Sequence, residues 1–274
     1  MLYFKAALLM PAPAIRWQVV VCIALCAFTF EGSARVRASV HAASWLGYVR
    51  PNPMQSVPSA DADALYRLRE DPESAKRAAD LWATRAATDF ESGWKLSRVC
   101  YWLGTHGPRA QRRAALERGV MAGEGAVRLA PGRPEGHFWL AANMGTLAES
   151  FGLRQGLKYR GRIKDELARV LAIDPAWQES SAESALGRWY LEVPRLFGGS
   201  KRKAEEHLRR ALAINSQSRA ALSYLADVLI DGGRKDEARQ LLRRVIDAPV
   251  DPEWVPEDRE FTRQAEERLK TLQK

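Results

Sequence analysis

The stretch LSYLADVLIDGGRKDEARQLLRRVI, residues 222–246, decides the fold. Its first half places Leu222, Leu225, Ala226 and Leu229 at helical spacing. Asp231-Gly232-Gly233-Arg234 then breaks the pattern, and the glycines supply a left-handed backbone that other residues resist. The second half places Ala238, Leu242, Val245 and Ile246 at i, i+4, i+7 and i+8. On a helix of 3.6 residues per turn those four positions form one apolar stripe. The stretch therefore reads as two amphipathic helices joined by a tight turn.

The same stripe occurs three more times: Gly119/Gly123/Ala126/Val127, Ile163/Leu167/Val170/Leu171 and Ala204/Leu208/Ala211/Leu212. Four residues after each stripe stand Pro131, Pro175, Ser216 and Val250, and the intervals between these points are 44, 41 and 34 residues. Proline cannot continue a helix, so Pro131 and Pro175 mark helix ends. Periods in this range indicate stacked helix pairs; 34 is the tetratricopeptide (TPR) length, and the longer two also suit HEAT-type repeats. The preceding helices separate the two. A TPR first helix carries a large residue, a small pair and an aromatic at relative positions 4, 7, 8 and 11. Leu186, Gly187 and Tyr190 match the last three, Trp94, Ser97 and Tyr101 match in the first unit, and Trp139, Ala142 and Asn143 match in the second. Arg98 stands where the first unit should have a small residue. The expected fold class is all-α, a TPR-like α-solenoid of about four helix-turn-helix units with capping helices.

Two units are long for TPRs. In the third, the extra residues fall in Glu192–Gly199, where Pro194 ends a helix, a Gly pair turns the chain and Ser200 can cap the next helix. In the second, the insertion is expected around Glu149–Arg160. A helix over Glu73–Ala87 and a charged one over Pro256–Lys274, with Phe261, Ala265 and Leu269 as a narrow stripe, are expected to cap the two ends.

Ahead of the repeats, residues 17–30 read WQVVVCIALCAFTF, uncharged and preceded by Arg16. A basic start, a short apolar run and the small-residue exits Gly32-Ser33-Ala34 and Val36-Arg37-Ala38 describe a secretory signal over 1–38. A retained membrane anchor through residues 17–30 is the alternative, although the run falls short of the ~20 apolar residues that span a bilayer comfortably. Residues 39–60, with Pro51, Pro53 and Pro58, read as a linker, leaving 61–274 as the repeat domain. Of Cys22, Cys26 and Cys100, only the last lies in that domain, too few for a disulfide framework or a four-cysteine zinc site.

The chain has 274 residues, a net charge of +9 and 46% apolar residues. That composition excludes collagen, wholesale disorder and a polytopic membrane protein. The charge suggests nucleic acid at first sight. Residues 1–38 hold four of the bases and one acid, whereas Val245–Lys274 hold eight acids and five bases. An exported chain with its charge spread in this way is not expected to bind nucleic acid.

Several segments are similar to known families. Glu135–Leu140 (EGHFWL), Leu186–Pro194 (LGRWYLEVP) and Leu196–Ser200 (LFGGS) running into Lys203-Ala204 resemble the TPR-like T component associated with TRAP transporters. The same segments, with Ile163-Lys164 and Ile173-Asp174-Pro175, resemble the eukaryotic regulators of microtubule dynamics. The likeness covers roughly Asp61 to Leu272. It implies an all-helical periplasmic body that works with a solute-binding protein and its permease, as an oligomer with a ligand-accessible pore. It implies no catalysis. The T component can be lipid-anchored, and this chain departs from that pattern: Leu25 precedes Cys26 where a lipidation site needs a small residue.

In a TPR array, relative positions 5, 9 and 12 of the first helices line the concave groove. Here these are Lys95, Val99 and Trp102; Leu140, Met144 and Leu147; Arg188 and Leu191; and Ser223, Asp227 and Ile230. The set is mostly apolar, which suits an apolar peptide, helix or small ligand; if neighbouring segments cover it, the same residues are plain core. Arg154, Lys158, Arg160, Arg162 and Lys164 form the densest basic stretch, a candidate for anions or phospholipid headgroups and otherwise a solvated face. Gly198-Gly199-Ser200-Lys201 lacks the strand and spacing of a phosphate loop. The histidines His41, His106, His137 and His207 form no metal motif, and no nucleophile elbow is present. The expectation is a non-enzymatic, cofactor-free exported protein. It would bind a protein partner such as a periplasmic solute-binding protein or transporter, and could form a homo-oligomer. A carrier of an apolar small ligand in the groove is the alternative.

Overall fold

A computed structural model describes residues 59–272, which form eleven α-helices and, among the described residues, no strand. They are α1 (Ser59–Arg67), α2 (Pro72–Ala83), α3 (Phe90–His106), α4 (Arg109–Leu129), α5 (Pro134–Ser150), α6 (Leu153–Ile173), α7 (Ser181–Glu192), α8 (Lys201–Ile214), α9 (Arg219–Asp231), α10 (Lys235–Asp247) and α11 (Val255–Leu272). The expected signal at 1–38 and nearly all of the expected linker lie outside the described residues. No described helix is long and apolar enough to cross a membrane.

The four units are the pairs α3/α4, α5/α6, α7/α8 and α9/α10, each pair packed as an antiparallel hairpin and stacked on the next. The repeated stripe is the packing face. Gly119, Gly123, Ala126, Ile163, Leu167, Val170, Ala204, Leu208, Ala211, Ala238, Leu242 and Val245 are all buried. A Cβ added at Gly123 would sit 2.9 Å from Leu140 Cβ and 3.0 Å from its Cα, so the absent side chain sets how closely α4 approaches α5. At the small position of the second unit, Asn143 Nδ2 donates to Ser97 O (2.9 Å) and Trp139 O (2.8 Å), and Ser97 Oγ donates to Gly119 O (2.8 Å). These bonds tie α3, α4 and α5 together. Every residue of α5 from Gly136 to Ala148 is buried, as expected of a helix with neighbours on all sides.

Several boundaries differ from the sequence reading. The first capping element is two helices, and α2 ends at Ala83 rather than Ala87, because the backbone turns over residues 84–88. The extra length of the second unit is not an inserted loop. It is an extension of α5 and α6, with Gly152 at φ 87° making the turn between them. In the third unit Pro194 leads into a short 3-10 turn (Arg195–Phe197), Gly198 takes φ 103°, and Ser200 Oγ accepts from Lys203 N at 3.3 Å to cap α8. Arg98 does not pack where a small residue is needed; its guanidinium lies 4.0 Å from the Tyr66 ring centroid, against α1.

Two histidines pin helix pairs. His137 on α5 has Nδ1 2.5 Å from Glu166 Oε2 on α6, and its Nε2 lies 3.0 Å from Pro131 O. In the next unit the roles are exchanged: Glu183 on α7 meets His207 on α8 at 2.5 Å and Arg210 at 3.0 Å. With acceptors at both ring nitrogens, His137 is best served by two N–H groups, and the bond to Glu166 raises its pKa above the ordinary value despite burial. A raised histidine stabilises the fold below its unfolded pKa, and that contribution fades as pH rises through the folded pKa. His137→Gln is expected to cost about 1–3 kcal/mol at pH 5.5 and clearly less at pH 8.5, measured by urea unfolding at both values. A cost that is equal at both would contradict a charged His137–Glu166 pair.

Cys100 is buried in α3, and burial pushes its thiol up to about 12. It is expected to resist iodoacetamide in the folded protein and to react fully in guanidinium, as read by peptide mass mapping.

Candidate functional site

The inward positions of the first helices are largely closed. Val99, Trp102, Leu140, Met144, Leu147, Arg188 and Ser223 are buried, while Lys95, Leu191, Asp227 and Ile230 are half-buried. Lys95 is engaged by Asp63 of α1 at 2.9 Å. In units one and two these positions therefore belong to the core, and they present no open groove.

α1 and the turn after it cover part of this face, and the C-terminal segment packs beside them. Trp254, just before α11, lies nearly parallel to Trp139 (19°, centroids 6.4 Å apart), and Trp139 in turn contacts Tyr101 and Phe138. Beside it, Arg69 in the α1–α2 turn reaches Glu257 on α11: Nη2 lies 2.6 Å from Oε2 and Nε 3.3 Å from Oε1. Arg69 Nη2 also donates to Glu253 O at 2.8 Å, and Trp102 Nε1 donates to Arg69 O at 2.6 Å. Both members of the ion pair are buried. Burial pushes the Glu257 carboxyl up, with Arg69 pulling the other way. The first hairpin and the last helix are thus joined, and the described array closes on itself.

Between units three and four the inward face is polar. Arg188 is 1% exposed, 3.4 Å from Glu149 and 3.7 Å from Glu192, with its guanidinium 5.0 Å from the Tyr224 ring centroid. Burial works against its charge, and the two carboxylates outweigh it, so the guanidinium is held above its ordinary value. Asp227 pairs with Arg268 of α11 at 3.1 Å, and burial nevertheless pushes its carboxyl up to about 6. α11 therefore covers this face as well.

An open concavity lies on the edge beside the closing segment. A cleft of about 510 Å³ is lined by residues 178, 179 and 181 ahead of and at the start of α7, 215–220 around the α8–α9 turn, 249–254, and the first turns of α11. Its floor is fixed. Arg219 is buried and donates to Val245 O, Ala248 O, Pro249 O and Asp258. One wall is conformationally unusual, because Gln178, Glu179 and Ser180 all have positive φ (42°, 52° and 80°). Non-glycine residues in that region cost on the order of 1–3 kcal/mol each and persist only where the surroundings hold them. Ser180 is held by donating to Ala211 O at 3.0 Å, and Glu179 by accepting from Asn215 Nδ2.

The basic stretch does not converge. Arg154, Lys158 and Arg162 are exposed in one row along α6, with Arg162 paired to Glu124 at 2.8 Å. Arg160 and Lys164 lie elsewhere on the helix, near the Phe197 and Trp189 rings. Among the described residues no His, Cys, Asp and Glu cluster could hold a metal ion.

Residues 59–205 match the family of regulator of microtubule dynamics protein 1-3. This chain belongs to the regulator of microtubule dynamics family. Residues 202–255 match a tetratricopeptide repeat family, in line with the fourth helix pair. The chain is similar to regulator of microtubule dynamics protein 1 of Caenorhabditis elegans, 26% identical over 176 residues that cover 57% of this chain and 75% of that protein. Its fold is similar to the crystal structure of a thermophilic TPR protein of Thermus thermophilus, with a TM-score of 0.59 and 19% identity, covering 77% of this chain and 99% of that one.

The family match falls on the segments that the sequence reading quoted, and it ends just inside α8. The cleft straddles that end, with residues 178–181 inside the match and 215–261 beyond it. Sequence reasoning missed both the cleft and the Arg69–Glu257 closure. The acidic C-terminal end was the one signal present, and it gave no position.

Proposed function

We propose that this member of the family is a non-enzymatic protein-interaction scaffold that holds its partner outside the closed inward face. The observation that carries this reading is the closure itself. The inward positions that TPR arrays offer to peptides are buried or ion-paired here, Lys95 by Asp63 of α1 and Asp227 by Arg268 of α11, while a cleft beside Trp254 stays open. The TPR-like fold supports a protein partner as the class of ligand.

The site of action that suits the chain best is the periplasmic side of a bacterial inner membrane. The uncharged run at 17–30 with its small-residue exits supports export, with or without retention as an anchor. The EGHFWL and LGRWYLEVP segments support a role beside a solute transporter, with a solute-binding protein or permease as partner. The role in microtubule dynamics belongs to the relatives' names and is not carried over to this chain.

The test is native purification from the envelope fraction, followed by mass spectrometry of both proteins and organic extracts. A stoichiometric protein partner is the expected result. A bound apolar small molecule with no protein partner would replace the scaffold by a carrier.

A further inference from the structure

We infer that one edge of the array, built from the α3–α4, α5–α6 and α7–α8 turns, docks on the surface of a bilayer rich in anionic phospholipid. Such docking is separate from the scaffold reading and does not depend on it.

The three turns lie side by side. The Arg113 guanidinium at the start of α4 is 5.8 Å from the Phe151 ring centroid in the α5–α6 turn. The Arg160 guanidinium on α6 is 5.2 Å from the Phe197 ring centroid in the α7–α8 turn. α4, α6 and α8 all start on this edge, and none has an acid in its first turn. A helix N-terminus favours acids there, because the peptide dipoles leave it positive. Three successive second helices start with bases instead: Arg109, Arg154 and Lys201-Arg202-Lys203.

Few carboxylates answer these charges. Glu149 and Glu192, near the ends of α5 and α7, are both engaged by Arg188. Arg113 pairs with Glu117, Lys201 with Asp231 and Arg202 with Glu206. Among the described residues no carboxylate lies within ion-pair distance of Arg109, Arg154, Lys158, Arg160, Arg195 or Lys203. The fourth turn, Asp231–Glu237, holds three acids and two bases, so the basic edge stops at the third. What results is an extended positive surface rather than a pocket. It suits an array of phosphate groups better than a single anion.

The same edge exposes apolar side chains. Leu196, in the α7–α8 turn, is 87% exposed, the highest value of any large apolar side chain among the described residues. Leu153 and Leu157, each 41% exposed, stand one turn apart on α6. Arg154 and Lys158 lie on one flank of that strip and Arg160 on the other. Bases that do not converge on a point thus bracket an apolar strip. Leucines placed in this way enter the headgroup boundary, and the long basic side chains around them reach the phosphates. An acidic peptide would answer the charges, but the breadth of the edge, with apolar tips on two of its three turns, favours a bilayer. The cleft lies at the other end of these hairpins. α7 begins at the cleft with Ser181 and ends at this edge with Glu192, so a bilayer here leaves the cleft open to a partner.

The experiment uses the full chain with vesicles of phosphatidylcholine alone or of equimolar phosphatidylcholine and phosphatidylglycerol. Residues 17–30 are apolar enough to bind either vesicle by themselves, so the readout is position-resolved hydrogen exchange. New protection is expected in residues 109–113, 153–160 and 195–203 on the anionic vesicles, weakened by raised salt and absent on phosphatidylcholine alone. The triple variant Arg154→Gln, Lys158→Gln, Arg195→Gln should lose that protection. Its preference for anionic over neutral vesicles, read by co-sedimentation, should fall about tenfold or more, since each base near such a surface is worth about fivefold. The control Arg128→Gln, Arg169→Gln, Arg243→Gln removes the same charge from exposed positions in the C-terminal halves of α4, α6 and α10, and should keep both. Equal protection on the two vesicles, or a control that loses as much as the edge variant, overturns the inference. So does protection of the edge by a Glu-rich peptide with none on vesicles, since the occupant would then be an acidic protein. Neither failure touches the scaffold reading, which is tested by the native partner.

Discussion

Arg69→Met should destabilise the protein by about 3–5 kcal/mol, seen as a drop in the urea midpoint. The loss comes from the partner left behind. Glu257 is 5% exposed and sits 2.6 Å from the guanidinium. Without Arg69 its charge is buried and unanswered, and burial already pushes its carboxyl up. The backbone loses support too, because Arg69 also bonds Glu253 O. The double variant Arg69→Met with Glu257→Leu should recover most of the loss, since replacing a buried pair by apolar side chains is often neutral or better. The cycle therefore separates closure by this pair from a general weakness of α11. If Arg69→Met alone costs less than about 1 kcal/mol, as surface pairs do, the ends of the array are not locked in the way described.

Trp139→Ala should cost a similar amount, about 3–5 kcal/mol, by removing the largest fully buried side chain. Trp139 stands at the meeting of α3, α5 and the closing segment, in contact with Tyr101, Phe138 and Trp254. Its deletion leaves a cavity that α5, buried from Gly136 to Ala148, cannot collapse to fill. Trp254→Ala removes the half-buried partner of the same contact and should cost clearly less. The two values from thermal or urea unfolding, compared on one scale, rank core against clasp. If Trp254→Ala proved the more costly, the closing segment would have to be counted as core.

Much of this architecture was legible in the chain, for local reasons. The fourth unit was read directly: its stripe, its Asp231–Arg234 turn and its period all act within one hairpin, and Gly233 takes φ 78° as the turn requires. Pro131 and Pro175 stop α4 and α6 two residues after Leu129 and Ile173. α1 was missed because SADADALYR carries acids where a stripe would show apolar residues. The stripe spacing shows that the second unit is long and suggests an insertion around Glu149–Arg160. Helical surplus in α5 and α6 leaves the same interval between stripes, so spacing cannot tell the two apart.

The site was less legible. The positions expected to line a groove do point inward, and their burial depends on what covers them. Part of that cover comes from Asp63 and Arg69, and the contacts of Trp254 and Glu257 with Trp139 and Arg69 span more than a hundred residues of chain. The cleft is assembled from separate connections and a helix start, and its left-handed wall at 178–180 has no glycine to announce it. The basic stretch at 154–164 is dense in sequence and divided in space, because neighbours on a helix point different ways.

The central claim is that the partner docks beside the closed face and leaves the closure intact. Hydrogen exchange with and without the native partner tests it most directly. The account predicts new protection in residues 178–181, 215–220 and 249–254, with α11 as slow to exchange as before. Faster exchange in α11 on binding, together with new protection on α3 and α5, would show instead that the partner displaces the closing helix and uses the inward face.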